Sequence, residues 1–227
     1  VAFTHTVVSY PDRGKWGDYA YRGNCSGYLI KDLIETYSPD SVFDPMGGSG
    51  TTAEVCEDLG IPCASFDLKQ GYDILDPIAK KKMRDALQEM TDDRGVDMIF
   101  FHPPYWNMIQ YSQDPIDFSN GPYSLYLSRM AQALSWLGGL LSPAGIIAVL
   151  LGDLRRAKAD RTYFLTDDAL ASSTIAAAKL TKEIRIIKIQ HNTQTSGETD
   201  LDIKFAHEYL TILRNARFPK QPESLTE

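Results

Sequence analysis

A chain of 227 residues, 43% hydrophobic and 23% charged, has the size and composition of one large α/β domain, which excludes fibrous and intrinsically disordered classes. Its net charge of −7 excludes a surface that grips phosphates indiscriminately and leaves room only for a local basic patch. Three cysteines, Cys25, Cys56 and Cys63, stand without CxxC or Cys/His spacing, so neither a disulfide framework nor a metal centre is expected.

The chain begins at Val1, so a further piece of the natural N-terminus is expected before it. VAFTHTVVSYPDRG has neither the basic nor the apolar region of a signal peptide. Residues 1–24, rich in Gly, Pro, Tyr and Asp, read as an extended arm, 25–217 as one domain, and 218–227 as a frayed tail. Leu29, Ile30, Leu33 and Ile34 fall at helical spacing and predict a helix over 27–37, stopped before Pro39. SVFD (41–44) is a short strand, followed by a glycine-rich turn and a helix from Thr51 to Leu59 that Gly60 ends. PCASFD (62–67) is a second strand. Residues 80–90 form a charged amphipathic helix whose basic start is either a solvated face or a nucleic-acid contact.

VDMIFF (96–101) is a buried strand, 122–141 contains a helix, and GIIAVLLGD (145–153) is another buried strand. The apolar stretch 137–152 is broken by Ser142 and Pro143 and falls short of the ~20 residues of a membrane span. No membrane partner is expected, and the chain reads as cytoplasmic. TDDALASSTIAAAKL (166–180) predicts one helix; 184–190 and 203–213 alternate as two strands joined by a polar loop, an antiparallel pair. His207 lies in the second and reads as a packed core histidine. The alternation of strand and helix argues for a mostly parallel sheet with helices on both faces, closed by that C-terminal antiparallel pair. In such sheets ligands sit beyond the carboxyl ends of the strands.

Every chemically suggestive stretch falls at such an end. VFDPMGGSGTTAEVC (42–56) runs from strand through a glycine cluster to a helix start, where free N–H groups and a bare backbone can meet a ligand. Thr51 stands where a P-loop requires lysine, and the glycines at 47, 48 and 50 do not fit GxGxxG, so NTPase and dinucleotide sites are disfavoured. The string Asp44-Pro45-Met46-Gly47-Gly48-Ser49-Gly50-Thr51-Thr52 resembles the AdoMet-binding motif of the amino-methyltransferases that act on adenine N6 or cytosine N4 of DNA, with Met46 in place of the usual phenylalanine. The resemblance implies a Rossmann-like AdoMet-dependent methyltransferase fold and S-adenosyl-L-methionine as cofactor. It also implies that Asp67, closing the second strand, grips the ribose hydroxyls. Asp73, in GYDILD, either receives the adenine amino group or is a solvated loop acid; the helix and strand that the family inserts between these two acids are absent here.

HPPYW (102–106) is similar to the same family's (Asp/Asn/Ser)-Pro-Pro-(Tyr/Phe/Trp) tetrapeptide. An exocyclic amine conjugated to a base ring is a poor nucleophile. Hydrogen bonds from its N–H groups to the first side chain and to the first proline carbonyl free the lone pair. Pro103 and Pro104 hold that carbonyl rigidly. By the resemblance, Tyr105 stacks on an extruded base and Trp106 extends the wall. His102 departs from the usual set; a neutral imidazole does the acceptor's work if its other nitrogen is protonated and held. Read by itself, the stretch could equally end a strand and no more.

GNCSGYLIKDLI (23–34) lies where the family places its AdoMet-carboxylate motif, so Asn24 and Ser26 either hydrogen-bond the methionine part or cap a helix. Arg155, Arg156, Lys158 and Arg161 cluster past a strand end and either contact phosphates or are solvated. His191 ends a strand and either faces the substrate or is an ordinary loop residue. No separate target-recognition domain is visible; 106–121, 154–165 and 191–200 are the candidate recognition loops. The resemblance extends over roughly 10–215 to a compact, mobile-element-associated subgroup of bacterial DNA-methylase-like proteins. It implies DNA as partner, adenine N6 ahead of cytosine N4, with a homodimer or a restriction or recognition subunit as further partners. The alternatives are methylation of RNA bases or of protein glutamine, and a non-catalytic AdoMet-binding subunit.

Overall fold

A computed structural model describes residues 3–156, 161–189 and 207–216. His191, Lys158, the 191–200 loop and the 218–227 tail lie outside the described residues, as do the side chains of Arg155 and Arg156. In chain order the elements are β1 (Val7–Ser9), α1 (Gly27–Tyr37), β2 (Val42–Asp44), α2 (Thr51–Leu59), β3 (Cys63–Ser65), α3 (Pro77–Thr91), β4 (Val96–Phe101), α4 (Tyr123–Gly138) and β5 (Leu141–Leu151). They continue with β6 (Leu154–Arg156), β7 (Arg161–Tyr163), α5 (Leu165–Ala169), α6 (Ser172–Ala177), β8 (Leu180–Ile189) and β9 (His207–Asn215).

Seven strands form one sheet in the order β1-β8-β9-β5-β4-β2-β3. β3, β2, β4 and β5 are parallel, and β9 runs antiparallel to both β5 and β8. This is the expected Rossmann-like class, a mostly parallel sheet with a C-terminal antiparallel pair. Strand alternation builds its two faces. Phe43, Ile99, Phe101, Ile147, Val149 and Leu151 point toward α3 and α4, where Met83, Leu87, Tyr126, Met130 and Leu134 meet them. Val42, Met98, Phe100, Ile146, Ala148 and Leu150 point the other way, onto Leu29, Ile30 and Leu33 of α1 and Val55 and Cys56 of α2. Each fully buried side chain of this size contributes about 1.5–3 kcal/mol, so the two layers hold the sheet from both sides.

Local chemistry sets the helix ends. α3 begins earlier than expected because Asp76 caps it, accepting from the Ala79 N–H at 2.7 Å, with Pro77 in the first turn. Three expectations are corrected. The single helix over 166–180 is two, α5 and α6, broken at Leu170 and Ala171. Ser172 and Ser173 compete for backbone groups and suit a new helix start, and the break lets Leu165, Leu170 and Ile175 all turn into the core. The loop 154–165 contains the β6–β7 hairpin. The arm is not wholly irregular: β1 adds a parallel edge strand, Val7 beside Ile187.

Candidate functional site

The carboxyl ends of β2, β3 and β4 surround a cavity of about 220 Å³. The glycine turn forms its floor. Asp44 ends β2 and bonds both flanks of the turn: it accepts from the Met46 N–H at 3.0 Å and from the Thr52 hydroxyl at 2.6 Å. Burial pushes its carboxyl up to about 6, against the opposing pull of those two bonds. Gly48 adopts φ +52 with the Tyr21 ring directly above it, where an added Cβ would lie 3.0 Å from a ring carbon. Asp67 accepts from the Gly48 N–H at 3.1 Å and the Lys69 N–H at 2.9 Å, locking the ends of β2 and β3 together. The Ser49 hydroxyl is buried and has no hydrogen-bond partner among the described residues. Pro45, Met46, Gly47, Thr51 and Asp73 also line the cavity, whereas Gly50 serves as the N-cap of α2 and does not.

HPPYW leaves β4 at the cavity's far wall. His102 and Pro104 line it; Pro103 does not. Burial lowers the His102 pKa to about 4, with the Lys188 charge working in the same direction and Glu208 against it, so the imidazole is neutral at pH 7. Tyr105 and Trp106 lie differently from the expected stacking wall. The Tyr105 ring, 9% exposed, packs against Gly152, where an added Cβ would lie 2.8 Å from it. Its hydroxyl donates to Glu208 at 2.7 Å and lies 3.2 Å from His102 Nε2. Trp106 donates its indole N–H to the Gly121 carbonyl at 3.0 Å and packs between Tyr123 and Tyr163. Both rings turn inward because the core offers each an apolar slot and a partner for its polar atom.

The arm reaches the cavity through Asn24, which accepts from the Thr51 hydroxyl at 2.5 Å and donates to the Asp18 carbonyl at 3.2 Å. Ser26 does not line it: the side chain is buried, makes no cap bond, and donates to the Asp12 carbonyl at 2.9 Å. Of the basic cluster, Arg155, Arg156 and Arg161 lie on the paired strands β6 and β7, Arg156 opposite Arg161, whose guanidinium lies over the Tyr163 ring at 4.7 Å. His207 is half-buried rather than in the core, with Nε2 2.9 Å from the Tyr209 hydroxyl.

Two groups of residues had no role assigned to them individually in the sequence, although 111–118 lies within the candidate recognition loop 106–121. The segment 111–118 closes the cavity with Tyr111, Asp114 and Asp117, and Tyr111 stacks on Tyr21 with ring centroids 6.2 Å apart. Arg129 of α4 holds that segment, donating to the carbonyls of Pro115, Asp117 and Asn120. Behind His102, Lys188 and Glu208 face each other at one register position of β8 and β9, 2.5 Å apart and 9% and 8% exposed. In the sequence they stand among other charged strand residues, Lys182, Glu183, Arg185 and Arg214, so no local signal singled them out. Among the described residues no three His, Cys, Asp or Glu side chains group as metal ligands, and no helix is long and apolar enough to cross a membrane.

No protein-family model matches the sequence, and neither does any curated protein. Solved structures similar to the chain include a candidate DNA modification methylase from Thermus thermophilus, 20% identical, covering 62% of this chain and 53% of that one, TM-score 0.42. TrmN from Thermus thermophilus is 18% identical over 86% of this chain and 50% of that one, TM-score 0.45. The 1,6-didemethyltoxoflavin-N1-methyltransferase of Burkholderia thailandensis is 14% identical over 83% of this chain and 77% of that one, TM-score 0.47. The chain thus spans about half the length of the first two. At these identities and TM-scores the likenesses decide nothing about activity.

Proposed function

We propose that this chain transfers a methyl group from AdoMet to the exocyclic amine of a nucleobase in DNA, adenine N6 ahead of cytosine N4. One observation carries the reading: the glycine turn of β2 and the His-Pro-Pro-Tyr stretch of β4, 58 residues apart from Asp44 to His102, open onto the same cavity. The residues present suit the cofactor. Five carboxylates against one lysine line the cavity, a balance suited to a ligand carrying a sulfonium and an ammonium, and the unpartnered Ser49 hydroxyl offers a further polar contact.

Asn24, Asp44, Ser49, Asp67 and Asp73 would hold AdoMet, which supplies an electrophilic methyl group. The chain's own work is to orient the acceptor and prepare its nitrogen. A lone pair on neutral His102 accepts an N–H of the amine and draws that nitrogen's electrons out of conjugation with the ring. Because Tyr105 is turned into the core, Tyr111 takes its place as the ring that flanks a planar acceptor.

The acid-rich lining also favours a second class of acceptor. Carboxylates at Asp114 and Asp117 repel a phosphate backbone, whereas a protein glutamine amide brings none and presents the same kind of conjugated nitrogen. The test is mass spectrometry of products after incubating protein and AdoMet with duplex DNA, single-stranded DNA, RNA and a glutamine-containing peptide. N6-methyladenine or N4-methylcytosine in DNA is the expected result. A mark only in RNA or peptide moves the activity to that acceptor. No product from protein that binds AdoMet points to a non-catalytic subunit.

A further inference from the structure

The geometry points to a buried proton-ordering chain, Lys188–Glu208–Tyr105, that holds His102 as the Nε2–H tautomer and so leaves Nδ1 as its only acceptor. The inference deepens the proposed reading, on which His102 accepts an N–H of the target amine.

Counting protons along the chain fixes its polarity. The Lys188 ammonium, which has only donors, bonds Glu208 Oε2 at 2.5 Å. Burial raises the Glu208 carboxyl, but the Lys188 charge and the bonds from Lys188 and Tyr105 outweigh it and hold the pKa below the usual range, so both oxygens accept. Oε1 therefore takes the single proton of the Tyr105 hydroxyl at 2.7 Å, a charge-assisted bond. The phenol oxygen is left with lone pairs only. Its contact with His102 Nε2 at 3.2 Å is a hydrogen bond only if the imidazole donates. In a neutral ring that leaves Nδ1 unprotonated, and no described residue bonds it. The opposite tautomer would set two lone pairs against each other in a buried site, leaving both acceptors unsatisfied.

Glu208 comes from β9, which pairs with both β5 and β8, and Lys188 from β8; their mutual ion pair explains why two charges are tolerated in a buried site. Tyr105, Glu208 and Lys188 are positioning residues; His102 is the group that meets substrate.

The first measurement is a long-range ¹H–¹⁵N correlation spectrum of histidine-labelled protein near pH 7, with His102 assigned by its loss in His102→Asn. An Nε2–H ring is expected; an Nδ1–H or averaged ring in the unaltered protein overturns the proposal without any variant. Glu208→Gln then tests the polarity. Lys188 keeps the amide oxygen, the amide N–H faces Tyr105, and the phenol proton turns toward Nε2. The tautomer should reverse to Nδ1–H, with kcat falling about 100-fold while AdoMet affinity stays within about twofold. A folded Glu208→Gln protein with an unchanged tautomer, or one losing AdoMet affinity in parallel with kcat, overturns it. The spectrum reads the ring and not the reaction, which separates the two proposals. An Nε2–H ring in a protein that methylates nothing defeats the proposed function alone, and methylation by an Nδ1–H protein defeats this inference alone.

Discussion

Asp44 and His102 titrate away from their ordinary ranges in opposite senses. Asp44 rises to about 6 because it is buried, and a bound cation favours its carboxylate. Affinity for AdoMet should therefore fall as pH drops through about 6, by up to about tenfold per unit, which calorimetric titrations at pH 5, 6 and 7 would show. His102, lowered to about 4, stays neutral across that range, so kcat at saturating AdoMet should persist to near pH 4. The stability signs also differ. The Asp44 pKa is raised in the folded state, so its burial costs stability at pH 7 and that cost fades as pH falls through about 6. The His102 pKa is depressed from 6.5, so the unfolded chain takes up its proton first and stability falls between about 6.5 and about 4. Asp44→Asn should raise stability at pH 8 by on the order of 2 kcal/mol while weakening AdoMet binding, measured by thermal denaturation and by titration. Asp67→Ala should weaken AdoMet binding, whereas His102→Ala should abolish turnover and leave binding within about twofold.

The elements around the cavity are held by single anchors. The segment 111–120 has no regular structure, yet Arg129 satisfies three of its carbonyls from the buried face of α4. Arg129→Met keeps the packing stem and loses the bonds. It should increase proteolysis between 109 and 120 and lower AdoMet affinity at least about tenfold, in line with about 1.5–3 kcal/mol for a charged hydrogen bond. Gly152, at the end of β5, leaves room for the Tyr105 ring. Gly152→Ala should push that ring off Glu208 and reduce kcat more than AdoMet affinity, visible in steady-state kinetics at saturating cofactor. Helix and strand identity here was legible from periodicity and caps: Leu29, Ile30, Leu33 and Ile34 for α1, and the Gly60 stop for α2. The break between α5 and α6 was not legible, because Ser172 and Ser173 permit a new helix start without requiring one, and packing against α4 and β8 decides where the run bends.

Across the whole molecule the arm ties the two ends of the sheet. It starts as β1 at the β8 edge, buries Trp16 against Gly27 of α1 with its indole N–H on Asp58 at 2.6 Å, and ends over the glycine turn with Tyr21 and Asn24. Trp16→Ala should cost about 3 kcal/mol and lower Tm by about 6–12 °C. It should also weaken AdoMet binding, because the arm carries the cavity's outer wall. What the sequence determined by itself is the alternation that makes a covered, mostly parallel sheet, and the polar residue types at its strand ends: both are local, set by periodicity and by turn chemistry within a few residues. What only the tertiary structure decided is which way those residues face. Tyr105 turns inward because Gly152 leaves it a slot and Glu208 waits behind it, and Glu208 is there because β9 pairs in one register with β5 and β8. Segments more than 100 residues apart in the chain meet through strand pairing and core packing, and no local pattern records which partners those long-range contacts bring within reach.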